Sequence, residues 1–346
     1  MFSKPFWKPL ATSALLVATL RAAPVVDVLT PVGGLPPSIV GQMRGPAAFV
    51  QTSDGKYIVF DLRGHQIFGV DAAKKALKKL VAIGPSDGQI LQPTGFAYSA
   101  NKTFTVIDQP AKYERVQTFY EDGTPLSRFQ RWPAPNGALR VNANGGLFGG
   151  LTAMAPIGRN FLTPAQSAVN APSDLIDEID PDGNIVRRIG NLRPTGQDDD
   201  PALRRALNVG IPLVAPDGSI YFVFTTGLPM FQKYSAKGEL LFERHIEGPE
   251  LDVTIQSLPT MWPRSASQGG AMPVVTTTVT TAAIDADGRV WISLASPYTY
   301  VYDADGNKTR TLQFRGTEMM TPTSFFFTKD GRVLVTPGCY EFSAGR

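Results

Sequence analysis

The chain has 346 residues, of which 18% are charged and 43% are hydrophobic, a composition typical of a core-forming protein and not of a disordered one. A single cysteine excludes a disulfide framework within the chain and a cysteine-based zinc cluster, and two histidines exclude a three-histidine metal site. The formal net charge is +3. Whether it indicates an anionic partner depends on where the excess basic residues lie along the chain.

The first 22 residues are typical of a secretory signal peptide. Two lysines precede an uncharged run, residues 10–20, which is too short to span a bilayer, and Ala22 provides a small-residue cleavage site. Removing residues 1–22 takes away three basic residues and no acidic one, so the mature domain, residues 23–346, has no net charge. We therefore expect a secreted or periplasmic protein with no stable membrane span after leader removal and no nucleic acid as partner. The alternative is an N-terminal anchor or an uncleaved leader.

From residue 46 onward the chain repeats a pattern of short apolar strands separated by tight turns. Asp-Gly and Asn-Gly pairs suit two-residue hairpins because both central residues need positive φ. The first turns of six units fall at Asp54-Gly55, Asn101-Lys102, Asn144-Gly145, Asp217-Gly218, Asp287-Gly288 and Asp330-Gly331. In four of five units a second turn follows 17 to 21 residues later, whereas the third unit has a spacing of 38, which indicates an insertion.

Four short strands in each repeat of about 40 residues predict an all-β fold, a six-bladed β-propeller. The six units begin at Pro46, Pro93, Gly137, Ile211, Thr280 and Pro322. The sixth unit stops after its third strand, so we expect Val25–Leu29 to supply the outer strand of the last blade and close the ring. A β-helix or a sandwich is the alternative, but neither predicts paired hairpin turns at this repeat.

Two units carry a recognisable motif. Pro93–Ala97 (PTGFA) followed by Asp108, and more loosely Pro46–Phe49 followed by Asp61, are similar to NHL-type propeller repeats and more distantly to gluconolactonase-like (SMP-30) propellers. The resemblance covers nearly the whole mature chain and implies a fold more than an activity. In the lactonase group it implies a metal-binding Glu before Gly-Pro. Arg44 stands there instead, and a guanidinium is not a cation ligand, so we expect no metal and no cofactor.

Three long insertions predict a binding face. Gly149–Pro172, Asn191–Asn208 and Glu247–Val279 all fall in loops between second and third strands or in blade connections, which share one face of a propeller. Solvating decoration is the alternative. Arginines and aromatic residues near this face suit a carboxylate, a sugar acid or a peptide. The predicted ligand-binding residues are Arg44, Asp61, His65, Asp108, Tyr113, Arg140, Arg159, Trp262, Arg264 and Tyr298, with Arg193 beside them.

Other polar motifs have two interpretations each. His65 is a candidate general base or an exposed loop histidine. The run Asp198–Asp200 is a candidate calcium site or a self-paired charge run beside two arginines. Three Asp-x-Asp-Gly stretches resemble the start of a calcium loop but recur where hairpin turns are required. Residues 72–80 resemble a basic amphipathic helix, although their place in the repeat favours an exposed hairpin.

The sequence thus predicts an exported propeller that binds a protein or a small-molecule ligand on its insertion-bearing face. The alternative is a hydrolase or lyase acting on a sugar-like or lactone-like compound. An enzyme would bring two carboxylates, or a histidine and an acid, within hydrogen-bonding reach of one point.

Overall fold

A ring of six β-sheets forms the molecule, as the turn pattern predicts. The computed structural model describes residues 26–131, 139–141, 147–148, 153–165, 174–267 and 270–345. Strands account for 53% and helices for 6% of the structure. The predicted leader lies outside the described residues. No helix in these ranges is long and apolar enough to cross a membrane.

The N-terminal segment and the first two blades come first along the chain. Before the ring lie β1 (Val26–Leu29), β2 (Pro31–Gly34) and a single helical turn, α1 (Pro37–Val40). The first blade contains β3 (Pro46–Gln51), β4 (Tyr57–Asp61), β5 (Gln66–Val70), β6 (Leu77–Ile83) and a short β7 (Gln89–Ile90). The second contains β8 (Pro93–Ser99), β9 (Thr103–Asp108), β10 (Glu114–Tyr120) and β11 (Pro125–Arg131).

The third and fourth blades are separated by a short helix. Two small strands, β12 (Leu139–Val141) and β13 (Leu147–Phe148), precede the third blade. That blade contains β14 (Ala155–Ile157), β15 (Asn160–Pro164), β16 (Asp174–Ile179) and β17 (Ile185–Asn191). After α2 (Pro201–Ala206), the fourth contains β18 (Gly210–Val214), β19 (Ile220–Phe224), β20 (Met230–Tyr234) and β21 (Leu240–His245).

The last two blades follow a long connection. It holds α3 (Pro249–Gln256), β22 (Arg264–Ser267) and β23 (Gly270–Thr276). The fifth blade contains β24 (Val279–Ile284), β25 (Val290–Leu294), β26 (Thr299–Tyr302), β27 (Lys308–Arg315) and the short β28 (Met319–Met320). The sixth contains β29 (Ser324–Phe327), β30 (Arg332–Thr336) and β31 (Tyr340–Ser343). The four principal strands of each of the first five blades are consecutive and antiparallel.

The third blade begins later than the sequence pattern predicts. The prediction of its start at Gly137 is wrong, because the inner hairpin is formed by β14 and β15 and turns at Gly158-Arg159. The predicted turn Asn144-Gly145 lies outside the described residues. The strands on either side of it pair with each other, but in a separate sheet. Residues 155–164 are therefore blade strands and not part of an insertion.

The Asp-Gly motifs elsewhere lie at hairpin turns, as the sequence predicts, but the turns are not of the predicted two-residue type, because only the glycine of each pair and not the aspartate has positive φ. Asp303 Oδ1 accepts hydrogen bonds from the backbone N–H groups of Asp305 and Asn307, at 3.0 and 2.8 Å, and Gly306 has φ of +81°. The turn conformation needs that left-handed backbone, which glycine adopts without steric cost. The last four residues of the basic stretch, 77–80, belong to the outer strand β6 (Leu77–Ile83) and not to a helix.

The hydrophobic core is divided among the junctions between blades. Five clusters of buried side chains each join two neighbouring blades, and the cluster between the fourth and fifth includes Tyr221, Phe231 and Ile292. Between the second and third blades a small cavity of about 10 Å³ remains, lined partly by Phe129 and Phe161. Because no blade buries its own two faces, each depends on its neighbours for stability.

The N-terminus closes the ring, but with a different strand from the predicted one. The outer strand of the sixth blade is β2, which pairs antiparallel with β31. The predicted segment is displaced by one strand: β1 pairs parallel with β27 of the fifth blade, where Arg310 Nε lies 3.1 Å from Asp27 Oδ2. Gly33 in β2 fits this place because a Cβ there would lie 2.9 Å from Glu341 Oε2.

A buried ionic network strengthens this closure. Glu341 in β31 has a side chain only 3% exposed and forms ion pairs with Lys74, from the first blade, and with Arg332, from the sixth. Burial opposes ionisation of Glu341, but the hydrogen bond and charge of Lys74, together with Arg332, hold the pKa of this carboxyl below its ordinary value of 4.5. The network thus links the last blade to the first.

Replacing Glu341 by Gln tests this link. The variant leaves two cations without their buried partner, so we expect the free energy of unfolding at pH 7 to fall by about 3 kcal/mol. Because the native pKa is depressed, the stabilisation in the native chain is present above the ordinary glutamate pKa and lost as pH falls through the native one. Denaturant titrations at pH 7 and pH 3 should therefore show a smaller pH dependence in E341Q. Glu239→Gln, at an exposed turn, is the control, and equal loss in both variants would contradict the role of Glu341.

Candidate functional site

Connections between blades and loops between second and third strands meet at one side of the ring, which we call the loop face. Contacts between these segments identify it. Thr225, directly after β19, receives backbone hydrogen bonds from Thr278 and Val279 at the entry to the fifth blade. Ala295, after β25, donates to Thr278 O at 2.9 Å. The opposite side, the turn face, carries the tight hairpins.

Three blade connections on the loop face combine into one structure, which we call the accessory layer: α2 with the sheet β13-β12-β23-β22. Strand β12 belongs to the connection between the second and third blades, and β23 to the connection between the fourth and fifth. The two strands pair in parallel, from Leu139 opposite Val274 to Val141 opposite Thr276. The sequence predicts insertions around α2 and β22–β23, but it places β12 and β13 in the third blade and carries no local signal for their pairing with β23.

The accessory layer has a small hydrophobic core of its own. Leu203, Ala206 and Leu207 of the α2 region pack against Val275 of β23, and all four side chains are buried. Trp262, predicted as a ligand-binding residue, is half-buried and packs against this cluster. Its indole therefore contributes to the stability of the layer through apolar burial.

Ion pairs hold the edges of the layer. Asp200 caps α2 by accepting hydrogen bonds from Ala202 N at 3.2 Å and Leu203 N at 3.1 Å, and it forms an ion pair with Arg264 of β22. Asp198 lies 3.1 Å from Arg204. The acidic run thus joins the helix to the sheet, in agreement with the self-paired interpretation. No group of three His, Cys, Asp or Glu side chains suited to a metal ion occurs among the residues that the structure describes.

Arg193 attaches the layer to the fourth blade. Its guanidinium donates to three backbone carbonyls, those of Leu228 at 2.8 Å and of Leu207 and Thr226 at 3.1 Å each. It also lies over the ring of Phe224, 4.3 Å from the centroid. Burial lowers the pKa of Arg193 to about 10. The sequence predicts Arg193 beside the ligand-binding residues. In the structure its guanidinium instead donates hydrogen bonds to backbone carbonyls.

Asp61 and Asp108 play one structural role in two blades. Asp61 accepts hydrogen bonds from the backbone N–H groups of Arg44, Gly45 and Gly64, at 2.7 to 3.1 Å. Asp108 accepts one from Leu91 N at 2.8 Å. Both carboxylates are buried, and each holds the connection that enters its own blade. These contacts give the motif aspartates a fastening role.

A buried arginine pairs with the second of these carboxylates. Arg115 Nε and one terminal nitrogen lie 3.0 and 2.7 Å from the two oxygens of Asp108. Burial opposes the charge on Arg115, but Asp108 raises the arginine pKa above its ordinary value. The bidentate pair leaves Asp108 engaged on both oxygens.

The structure disperses the other predicted ligand-binding residues around the loop face. His65, half-buried, accepts a 3.4 Å hydrogen bond from Gln92 N through Nδ1, at the junction of the first two blades. Arg44 is exposed, and Tyr113 is half-buried in the second blade. Tyr298 packs against the core of the fourth and fifth blades. The described contacts do not bring them together at one point.

Two of the predicted arginines, Arg159 and Arg140, lie apart from these residues. Arg159 is exposed at the β14–β15 hairpin, where Asn101 Nδ2 of the neighbouring hairpin donates to Gly158 O at 3.0 Å. It therefore lies on the turn face, and its predicted place on the insertion-bearing face is wrong. Arg140 lies in β12, but its side chain is outside the described part of the structure.

The exposed surface of the long fourth-to-fifth connection is apolar at two positions. Val253 in α3 is 78% exposed and Met261 is 86% exposed. The lone thiol, Cys339, is fully buried in the sixth blade, and burial raises its pKa to about 12, which makes it a poor nucleophile.

Comparison with known proteins gives structural likenesses at low sequence identity. No protein-family model and no curated protein sequence matches the chain. Among solved structures, the chain is similar to a streptogramin B lyase, at 13% identity with a TM-score of 0.46, covering 86% of this chain and 92% of that one. It is similar to virginiamycin B lyase from Staphylococcus aureus, at 11% identity and 0.48, covering 86% and 93%. It is also similar to BamB from Moraxella catarrhalis, at 13% and 0.45, covering 87% and 85%. These identities and TM-scores are too low to assign a family or an activity.

Replacing Arg193 by Met tests the attachment of the accessory layer. The variant keeps apolar contact with Phe224 but leaves three carbonyls without their donor, so we expect a loss of about 2 kcal/mol in local stability. Hydrogen exchange should accelerate at the backbone N–H groups of residues 203–209 and 225–228 and stay unchanged in the first blade. Arg159→Met on the turn face is the control. Unchanged exchange in R193M would show that Arg193 does not attach the layer to the fourth blade.

Proposed function

We propose that this propeller is exported and binds a protein partner through the accessory layer and the connection beside it. The observation that carries the proposal is the convergence of three chain connections on one face, where they form a layer with its own core. A ring of fixed blades below such a layer holds its surface in a defined orientation. Surfaces of this kind, carried on loops over a rigid scaffold, commonly serve recognition.

The exposed side chains suit a protein partner. Val253 and Met261 place apolar surface in solvent, and Trp262 lies next to Met261 with part of its ring accessible. Aromatic residues and methionine are enriched at the centres of protein interfaces, where burying them excludes water. Arg264, 38% exposed and already paired with Asp200, would lie at the polar rim of such an interface. The connection thus combines exposed apolar side chains with a charged residue.

The proposal keeps the NHL-type interpretation of the blades and the signal peptide. In the first two blades the motif proline lies opposite the motif aspartate, Pro46 opposite Asp61 and Pro93 opposite Asp108. Residues 1–22 retain the pattern of an export signal, and cleavage after Ala22 would leave a chain without net charge.

Site-specific photocrosslinking in intact cells tests the proposal. A benzophenone amino acid replaces Met261 in the full-length chain, and the same residue replaces Arg159 on the turn face as a matched control. We expect one discrete crosslinked species from position 261, none from position 159, and a mature mass that begins at residue 23. Adding Val253→Asp should reduce the crosslink at least fivefold, because a charge there must be desolvated on binding.

Two outcomes would count against the proposal. Equal crosslinking from both faces would indicate non-specific contact, and no crosslink from position 261 would remove this surface as the interface. A stoichiometric divalent ion in the purified mature protein would favour a hydrolase or lyase instead.

A further inference from the structure

A cleft opens on the loop face between the fifth and sixth blades, away from the accessory layer. It has a volume of about 240 Å³. One wall is the β27–β28 hairpin and the other is the loop between β30 and β31. Its lining residues are Gly316, Thr317, Glu318, Met319, Met320, Pro337, Gly338 and Tyr340. This size suits a ligand smaller than those that occupy ordinary small-molecule pockets, which begin at roughly 300 Å³.

Two glycines leave room for the ring of Tyr340. A Cβ at Gly338 would lie 2.3 Å from a ring carbon, and a Cβ at Gly316 would lie 2.9 Å from the same carbon. Tyr340 also contacts Phe342, with centroids 6.2 Å apart, and thereby packs on the core between the two blades. The ring is therefore supported from the core side while it lines the cleft.

The chemistry of the lining is apolar and acidic. Met319 is 44% exposed and supplies a polarizable thioether, and Tyr340 supplies an aromatic ring. Glu318 is exposed and, within the described part of the chain, makes no ion pair. None of the eight lining residues is Lys or Arg. Arg315 lies across the same hairpin, opposite Met319, and is exposed but not part of the lining. An anionic ligand in the cleft would contact the carboxylate of Glu318, and no lining residue carries a positive charge.

We propose that this cleft binds a small organic cation, an ammonium group carrying a short apolar body. The ammonium would lie against the ring of Tyr340 and near the carboxylate of Glu318, since a desolvated cation gains attraction from both. The apolar body would contact Met319 and Pro337. This site is separate from the proposed protein interface, because its residues come from the fifth-to-sixth connection and the sixth blade.

Calorimetric titration with a charged probe and its neutral isostere tests the proposal. Choline and 3,3-dimethyl-1-butanol have nearly the same shape and differ in the charge of the head group. We expect saturable binding of choline to the mature protein, with 3,3-dimethyl-1-butanol at least tenfold weaker. Equal binding of the two probes, or no saturable binding of choline, would overturn the proposal.

Variants of the two recognising residues locate the site. Glu318→Gln should weaken choline binding fivefold or more and leave the isostere unchanged, because only the charge interaction is lost. Tyr340→Phe should retain binding, whereas Tyr340→Leu should lose it. Since Tyr340 also packs on the core, E318Q decides the outcome if Y340L fails to fold. Glu239→Gln on the turn face is the matched control. An E318Q affinity equal to that of the native chain would show that choline binds elsewhere.

Discussion

The pairing of the N-terminal strand β2 with β31 is the constraint on which the ring depends. The C-terminal part of the chain supplies only three strands to the sixth blade, so its outer edge is completed from the other end of the chain. Glu341, buried beside this pairing, joins Lys74 of the first blade to Arg332 of the sixth. Because every blade is stabilised by its neighbours, an open junction here would expose the core that the first and sixth blades share.

The loop face is built by a repeated local device. A polar residue at the end of a second strand holds the chain that enters the same blade, as Asp61, Asp108 and Thr225 do. Connections fastened in this way leave the ring at fixed points. The accessory layer then rests on firm attachments, with Arg193 fixing it to the fourth blade. Rigid attachment favours recognition, because a surface that is already ordered loses less entropy on binding.

The number of blades could be predicted from the Asp-Gly pairs, because the conformation of a hairpin turn depends on residues that are adjacent in sequence. The accessory sheet was not predictable in that way, because Leu139 pairs with Val274 and no local pattern joins them. The start of the third blade was predicted wrongly because β12 and β13 also form a hairpin, and local sequence does not show that this hairpin pairs outside the blade. The prediction of Arg159 on the insertion-bearing face was wrong for the same reason. The spacing of the repeat motif identified Asp61 and Asp108 as candidate residues. Their role in fixing the blade connections depends on the backbone N–H groups that they bind, and the sequence does not show those partners. Val253 has no distinguishing signal in the sequence, since exposure depends on tertiary packing.

The most direct test of this account is the cooperativity of unfolding in two shortened chains. One chain begins at residue 26 and keeps β1 and β2, and the other begins at residue 35 and lacks both. Urea titrations followed by circular dichroism and by tryptophan fluorescence would report on the ring as a whole. The account predicts one coincident transition for the chain from residue 26, and a lower midpoint with separated transitions for the chain from residue 35. Identical midpoints and slopes in the two chains would contradict closure by the N-terminal strand.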